Sequence, residues 1–277
     1  MIRDILLHLE HDPAQDTGRN YAISVAEAFA AHLAGVAFGS YAGLPTITLP
    51  GFPPDVLADI LAREEKEARE AIRHFEEAAR RSSLSASSRL ILRNETNPPA
   101  VFASMGRRFD LSVVTQSDPD KGASNELLIE GAMFESGRPV IVVPYIQRAG
   151  LTLDHITCCW DGSRAAARAI NDALPLLKKA RKVELFIIIN EKTQHEQEIR
   201  GADIATHLAR HDVNVEVETL SAADIDVGNA ILSHVSDRSA SMIVMGGYGH
   251  SRFREFVLGG ATREILTSMT VPVLMSH

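Results

Sequence analysis

Residues 241–262 read Ser241-Met242-Ile243-Val244-Met245-Gly246-Gly247-Tyr248-Gly249-His250-Ser251-Arg252-Phe253-Arg254-Glu255-Phe256-Val257-Leu258-Gly259-Gly260-Ala261-Thr262. A short apolar run gives way to a glycine-rich loop, and the loop leads into a segment of helical character. An unbroken apolar run of this length fits a strand buried on both faces. Glycines let the backbone turn sharply and approach a ligand closely. The amides that open a helix are unpaired and lie at the positive end of its dipole. Strand, glycine loop and helix start, in this order, make an anion site.

The same grammar extends upstream. Ile156-Thr157-Cys158-Cys159-Trp160 reads as a buried strand that runs into Asp161-Gly162-Ser163. Ala166, Ala169, Ile170, Ala173 and Leu177 then recur at helical spacing, and a strand follows from Val183 to Ile189. Downstream, a helix over Gly259 to Met269 precedes the strand Val271-Pro272-Val273-Leu274-Met275.

The first half of the chain repeats this order. Ile5-Leu6-Leu7-His8-Leu9 precedes the polar Glu10-His11-Asp12, and Ala22, Val25, Ala26 and Phe29 share a helical face. A strand from Leu33 to Phe38 follows. Near its end the half has Asp110-Leu111-Ser112-Val113-Val114-Thr115, a helix over Asn125 to Glu135, and Arg138-Pro139-Val140-Ile141-Val142-Val143. Strands alternating with helices predict an α/β fold, a parallel sheet with helices on both faces, in each of two tandem domains. In such open sheets ligands bind beyond the carboxyl ends of the strands, where strand order reverses. Asp161, after the first strand of its half, and Gly246, ending the fourth, are expected to face one crevice.

With 277 residues, two domains are the natural division. We place them at 1–146 and 152–277, joined by a linker over Gln147–Leu153. The halves differ by an insertion, Gly39 to Pro54, rich in proline and glycine, which reads as an ordered loop or a lid. A charged helix follows from about Asp55 to Arg81 and reads as a solvated face.

The net charge of −8 and the lack of any basic block argue against a general nucleic-acid binder. Adjacent Cys158 and Cys159 point to opposite faces of a strand, which disfavours a disulfide and fits a reducing compartment. No signal peptide and no apolar run near bilayer length is seen, so a cytoplasmic protein without membrane attachment is expected.

Other chemistries fit less well. His8, Glu10, His11 and Asp12 hold metal-ligating atoms, but only His8 and Glu10 share a strand face, too few for a metal site. Ser163 lacks a nucleophile elbow and reads as a helix cap. Trp160 reads as packed between elements rather than stacked on a base. There is no Walker lysine motif and no dinucleotide-binding glycine loop. No catalytic group and no metal ligand is assigned.

Gly246-x2-Gly249-x9-Gly259 resembles the nucleotide-binding signature of universal stress proteins, and Trp160-Asp161-Gly162-Ser163 and Val271-Pro272-Val273-Leu274 resemble that family's first and closing strands. The resemblance covers essentially the whole chain, twice. It implies a Rossmann-like, adenine nucleotide alpha hydrolase-like fold with five parallel strands in each domain. It also implies ATP, with or without magnesium, held between the aspartate and the glycine loop. Carried over, Asp161 contacts the nucleoside, Ile188 lies beside the adenine, and Met245 and Gly246 line the floor. Gly249, Gly259, Gly260 and Ala261 offer amides to the phosphates, and His250 and Ser251 add to them from the loop. The family usually has Ser or Thr where this chain has Gly260, so one hydroxyl is missing. A hydrogen bond to a charged group contributes about 1.5–3 kcal/mol, which weakens binding without abolishing it.

The first half departs further. Thr115-Gln116-Ser117-Asp118-Pro119-Asp120 stands where the glycines belong, Glu10 stands at the position of Asp161, and Gly259 is matched near Glu126. Carboxylates in a phosphate loop repel an anion, so no ATP is expected there. The leading reading is an adenine-nucleotide binding module of the stress response. The alternatives are a nucleotide-free scaffold or binder of another small ligand, and a slow ATPase or self-phosphorylating enzyme using Ser163, Ser251 or Thr262. An internal pseudo-dimer of the domains and a homodimer of chains accompany these readings.

Overall fold

The computed structural model describes residues 1–12, 16–39, 54–92, 97–118, 125–189, 197–221, 226–247 and 260–277. These form two compact units, one of Met1–Arg138 with Arg148–Leu151, the other of Pro139–Gln147 with Thr152–His277.

The first unit runs β1 (Asp4–His8), α1 (Thr17–Phe29), β2 (His32–Phe38), α2 (Pro54–Arg81), β3 (Ala86–Ile91), α3 (Pro98–Gly106), β4 (Leu111–Thr115) and α4 (Glu126–Glu135). Its strands lie in the order β3-β2-β1-β4, and every pairing is parallel. The next strand, β5 (Val140–Val143), groups with the second unit.

That unit continues with β6 (His155–Cys159), α5 (Arg164–Leu177), β7 (Lys182–Ile189), α6 (Gln197–Arg210), β8 (Val215–Ser221), α7 (Val227–Asp237), β9 (Met242–Gly246), α8 (Gly260–Ser268) and β10 (Val273–Ser276). Strands β8-β7-β6-β9-β10 are parallel, and β5 lies antiparallel on β10 with Ile141 opposite Leu274.

The repeat holds residue by residue. Asp4 pairs with His32 and Ile5 with Leu111; His155 pairs with Lys182 and Ile156 with Met242. Leu9 N–H donates to Val36 O as Trp160 N–H donates to Phe186 O, both at 2.9 Å. Residue 4 therefore corresponds to 155, and Glu10 to Asp161.

Strands β1, β4, β5, β6 and β9 are buried almost throughout because helices cover both faces. Strands β3 and β8 are only partly buried, with exposed Ser87, Arg89 and Glu216 and half-buried Glu218. Polar and charged side chains on such an edge discourage pairing with another chain. Helix α5 buries Ala165, Ala166, Ala169, Ile170 and Ala173, and these small residues bring its first turn close to β9. Helix α2 packs Phe75 into the space that Gly35 leaves on β2: a Cβ at Gly35 would stand 2.8 Å from the Phe75 ring. Its outer face carries the i,i+4 pairs Arg69–Glu65 and Arg73–Glu77. Residues 40–53 of the expected insertion lie outside the described residues.

Candidate nucleotide crevice and its counterpart in the first half

In the second unit the strand order reverses at β6, which has β7 on one side and β9 on the other. Asp161 follows β6 and is exposed, with its Oδ1 accepting a hydrogen bond from Ser163 N–H at 2.9 Å. Gly162 between them has φ +76°, a conformation that favours glycine. Ser163 caps α5, its Oγ accepting from Ala166 N–H at 3.1 Å. That first turn rests on Gly246: a Cβ there would lie 2.5 Å from Ala166 N and 2.6 Å from Ala165 C. The wall from Asp161 through Ser163 to Gly246 is thus one continuous piece, and Gly246 is fixed by a close backbone approach.

Ile188 is half-buried near the end of β7, beside β6. Met245 is buried at the end of β9. Gly260 opens α8 with nothing within 4 Å of where a Cβ would stand, and Ala261 beside it is half-buried. Gly249, His250, Ser251 and Gly259 lie outside the described residues. Thr262 is buried. Burial raises the thiols of both cysteines, that of Cys159 to about 12, which leaves them protonated and unreactive.

The first unit fills the equivalent place with its own side chains. Asn125, which precedes α4, donates from Nδ2 to Glu10 Oε1 at 2.6 Å and to Thr115 O at 2.9 Å. Its backbone N–H donates to Ser117 Oγ at 2.7 Å. Burial works to raise the Glu10 carboxyl, but His8, Asn125 and His11 outweigh it and hold it below its ordinary value. His8 Nδ1 lies 3.4 Å from Glu10 Oε1. An anion at this spot would meet a carboxylate instead of free amides. Among the described residues no His, Cys, Asp and Glu group has the arrangement of a metal site.

Asp16 caps α1, with Oδ1 accepting from Arg19 N–H at 2.9 Å. Burial raises its carboxyl from 3.8 to about 7, with Glu10 adding to the rise and Arg19 opposing it. The folded state therefore holds this proton more tightly than the unfolded chain. The resulting stability is complete below the unfolded value and is lost as pH rises through about 7. Asparagine caps as well and carries no charge. Asp16→Asn is expected to stabilise the protein more at pH 8 than at pH 5, by about 1–3 kcal/mol. Urea unfolding at the two pH values measures this; equal changes at both would refute it.

One polar cluster has no counterpart in the sequence reading. Glu184, 1% exposed on β7, accepts from His234 Nε2 of α7 at 2.6 Å and from Thr157 Oγ1 at 3.5 Å. His155 Nε2 lies 3.7 Å away, while its Nδ1 sits 3.2 Å from Arg238 O and so must donate. Phe186 stacks on His234 with centroids 3.9 Å apart. The only visible signal was a lone carboxylate inside the apolar run Val183–Ile189.

The family model for universal stress proteins matches residues 152–277. The C-terminal half of the chain belongs to the universal stress protein family. The chain is also 29% identical over 139 residues to the universal stress protein Slr1230 of Synechocystis sp. (strain ATCC 27184 / PCC 6803 / Kazusa). That match takes in 50% of this chain and 46% of the relative, so the chain spans about half the length of the curated relative it matches. Among solved structures, a universal stress protein from Archaeoglobus fulgidus DSM 4304 superposes with a TM-score of 0.71 at 17% identity, covering 99% of this chain and 95% of that one. A protein of unknown function from Pseudomonas aeruginosa PAO1 gives 0.63 at 16% identity, covering 99% and 92%. These likenesses establish the Rossmann-like α/β fold of the whole chain. Among the described residues no helix is long and apolar enough to cross a membrane.

Proposed function

We propose that the universal stress protein domain at 152–277 binds an adenine nucleotide, ATP, and that the equivalent place in the N-terminal domain, 1–146, does not. The observation that carries this reading is the placement of Asp161, Gly246 and the start of α8 around one sheet reversal, with Gly246 in backbone contact with α5 and Gly260 open. A strand-end carboxylate suits ribose hydroxyls, which donate to it. Unpaired amides at a helix start suit phosphate. The closed Glu10–Asn125–Thr115 arrangement supports the one-sided assignment.

The domain acts in this reading as a binding module whose nucleotide state is read by a partner. Of the hydroxyls named for self-phosphorylation, Ser163 is engaged as a cap and Thr262 is buried, while Ser251 lies outside the described residues.

Calorimetry with ATP tests the site. Asp161→Ala removes the ribose acceptor and is expected to weaken binding about 10- to 100-fold, the equivalent of a hydrogen bond to a charged group at about 1.5–3 kcal/mol. Unchanged affinity in that variant would remove Asp161 from the site.

A further inference from the structure

The two sheets differ on the face covered by α3 in the first unit and by α7 in the second. In the second unit the outer part of this face is filled. Glu184 and Phe186 of β7 meet His234 of α7, and Arg238 forms a 3.0 Å ion pair with Glu218 of β8. By strand register Glu184, Phe186 and Glu218 correspond to Ala34, Val36 and Arg89 of the first unit. Two bulky or charged side chains are thus replaced by small apolar ones, and an acid by a base.

The consequence is an open cavity of about 420 Å³ in the first unit. Ala34, Val36 and Met105 are buried beneath it, and Phe109 is half-buried at its side. The exposed Arg89 and Arg108 flank it, and among the described residues neither guanidinium has an ion-pair partner. Asp4 is the carboxylate in the lining. His32 beside it is held by the hydroxyls of Ser85 and Ser87 at 2.8 and 2.9 Å. Two cations against one anion, over an apolar floor, favour a negatively charged ligand with an apolar body. The volume falls in the range of small-molecule sites, about 300–1,000 Å³. Its lining comes from the amino-terminal and middle parts of β1, β2 and β3, away from the strand ends where a nucleotide is expected.

We propose that the first unit carries a ligand site of its own between β2, β3 and the residues that follow α3, for a small organic anion bearing an aromatic or aliphatic body. It is independent of the nucleotide reading. Arg89 and Arg108 take the anionic group, and Ala34, Val36, Met105 and Phe109 take the apolar part.

The probe is 8-anilinonaphthalene-1-sulfonate, an aromatic sulfonate, titrated by fluorescence into the full-length protein. One saturable site is expected, and excess ATP does not displace the probe. Arg89→Glu, an exposed change that copies Glu218, is expected to weaken binding at least tenfold. Ala34→Phe, which lays a ring across the floor, does the same while far-UV circular dichroism stays unchanged. Absence of saturable binding overturns the proposal. So does binding that survives either substitution in a folded variant, or a probe that ATP displaces.

Discussion

Replacing Glu184 by alanine is expected to cost the second unit about 3–5 kcal/mol, the range for removing one partner of a buried charged cluster. The loss has three sources. His234 loses its 2.6 Å acceptor while remaining stacked under Phe186. His155 keeps its Nδ1 bond to Arg238 O but loses the carboxylate facing Nε2. A cavity opens on a strand that is otherwise packed, and unfilled core volume adds to the cost. Glu184→Gln keeps the volume and an acceptor oxygen, so it is expected to recover at least half of the loss. Urea unfolding of the three proteins measures this. An alanine variant within 1 kcal/mol of wild type would show that the cluster is no anchor for α7, the threshold being below the expected range.

The second large effect is at Gly246. A methyl group there would stand 2.5 Å from Ala166 N and 2.6 Å from Ala165 C, both backbone atoms that cannot swing away. Either β9 or the first turn of α5 must shift. Gly246→Ala is expected to destabilise by about 1–3 kcal/mol, the cost of overpacking. It should also cut ATP affinity at least tenfold, because the same shift displaces the Ser163 cap and the Asp161 turn. Thermal denaturation and calorimetry read the two effects. Retained stability with lost binding would instead make Gly246 a ligand contact only.

The central strands were legible because burial on both faces writes them as unbroken apolar runs, as in Leu33–Phe38 and Val140–Val143. The edge strands were not. Ala86–Ile91 and Val215–Ser221 are half wetted and carry Ser, Arg and Glu, so their pattern resembles a loop. Asp161 and Gly246 could be placed together since strand-end position follows from element order. The closure of the first unit could not be foreseen, because Asn125 meets Glu10 across 115 residues of sequence. The partners of Glu184 were hidden for the same reason: His234 is 50 positions away. A sequence shows the odd carboxylate in a strand, and only the fold shows what neutralises it. The trough beside Arg89 is visible solely by comparing the two units, since small residues in a strand do not announce an unfilled space.

The most direct test of the one-sided nucleotide site is the stoichiometry of ATP binding to the full-length protein by isothermal titration calorimetry. The account predicts one ATP per chain, with the signal weakened in Asp161→Ala and unchanged in Glu10→Gln. Two ATP per chain, or a site that responds to Glu10→Gln and not to Asp161→Ala, would contradict it.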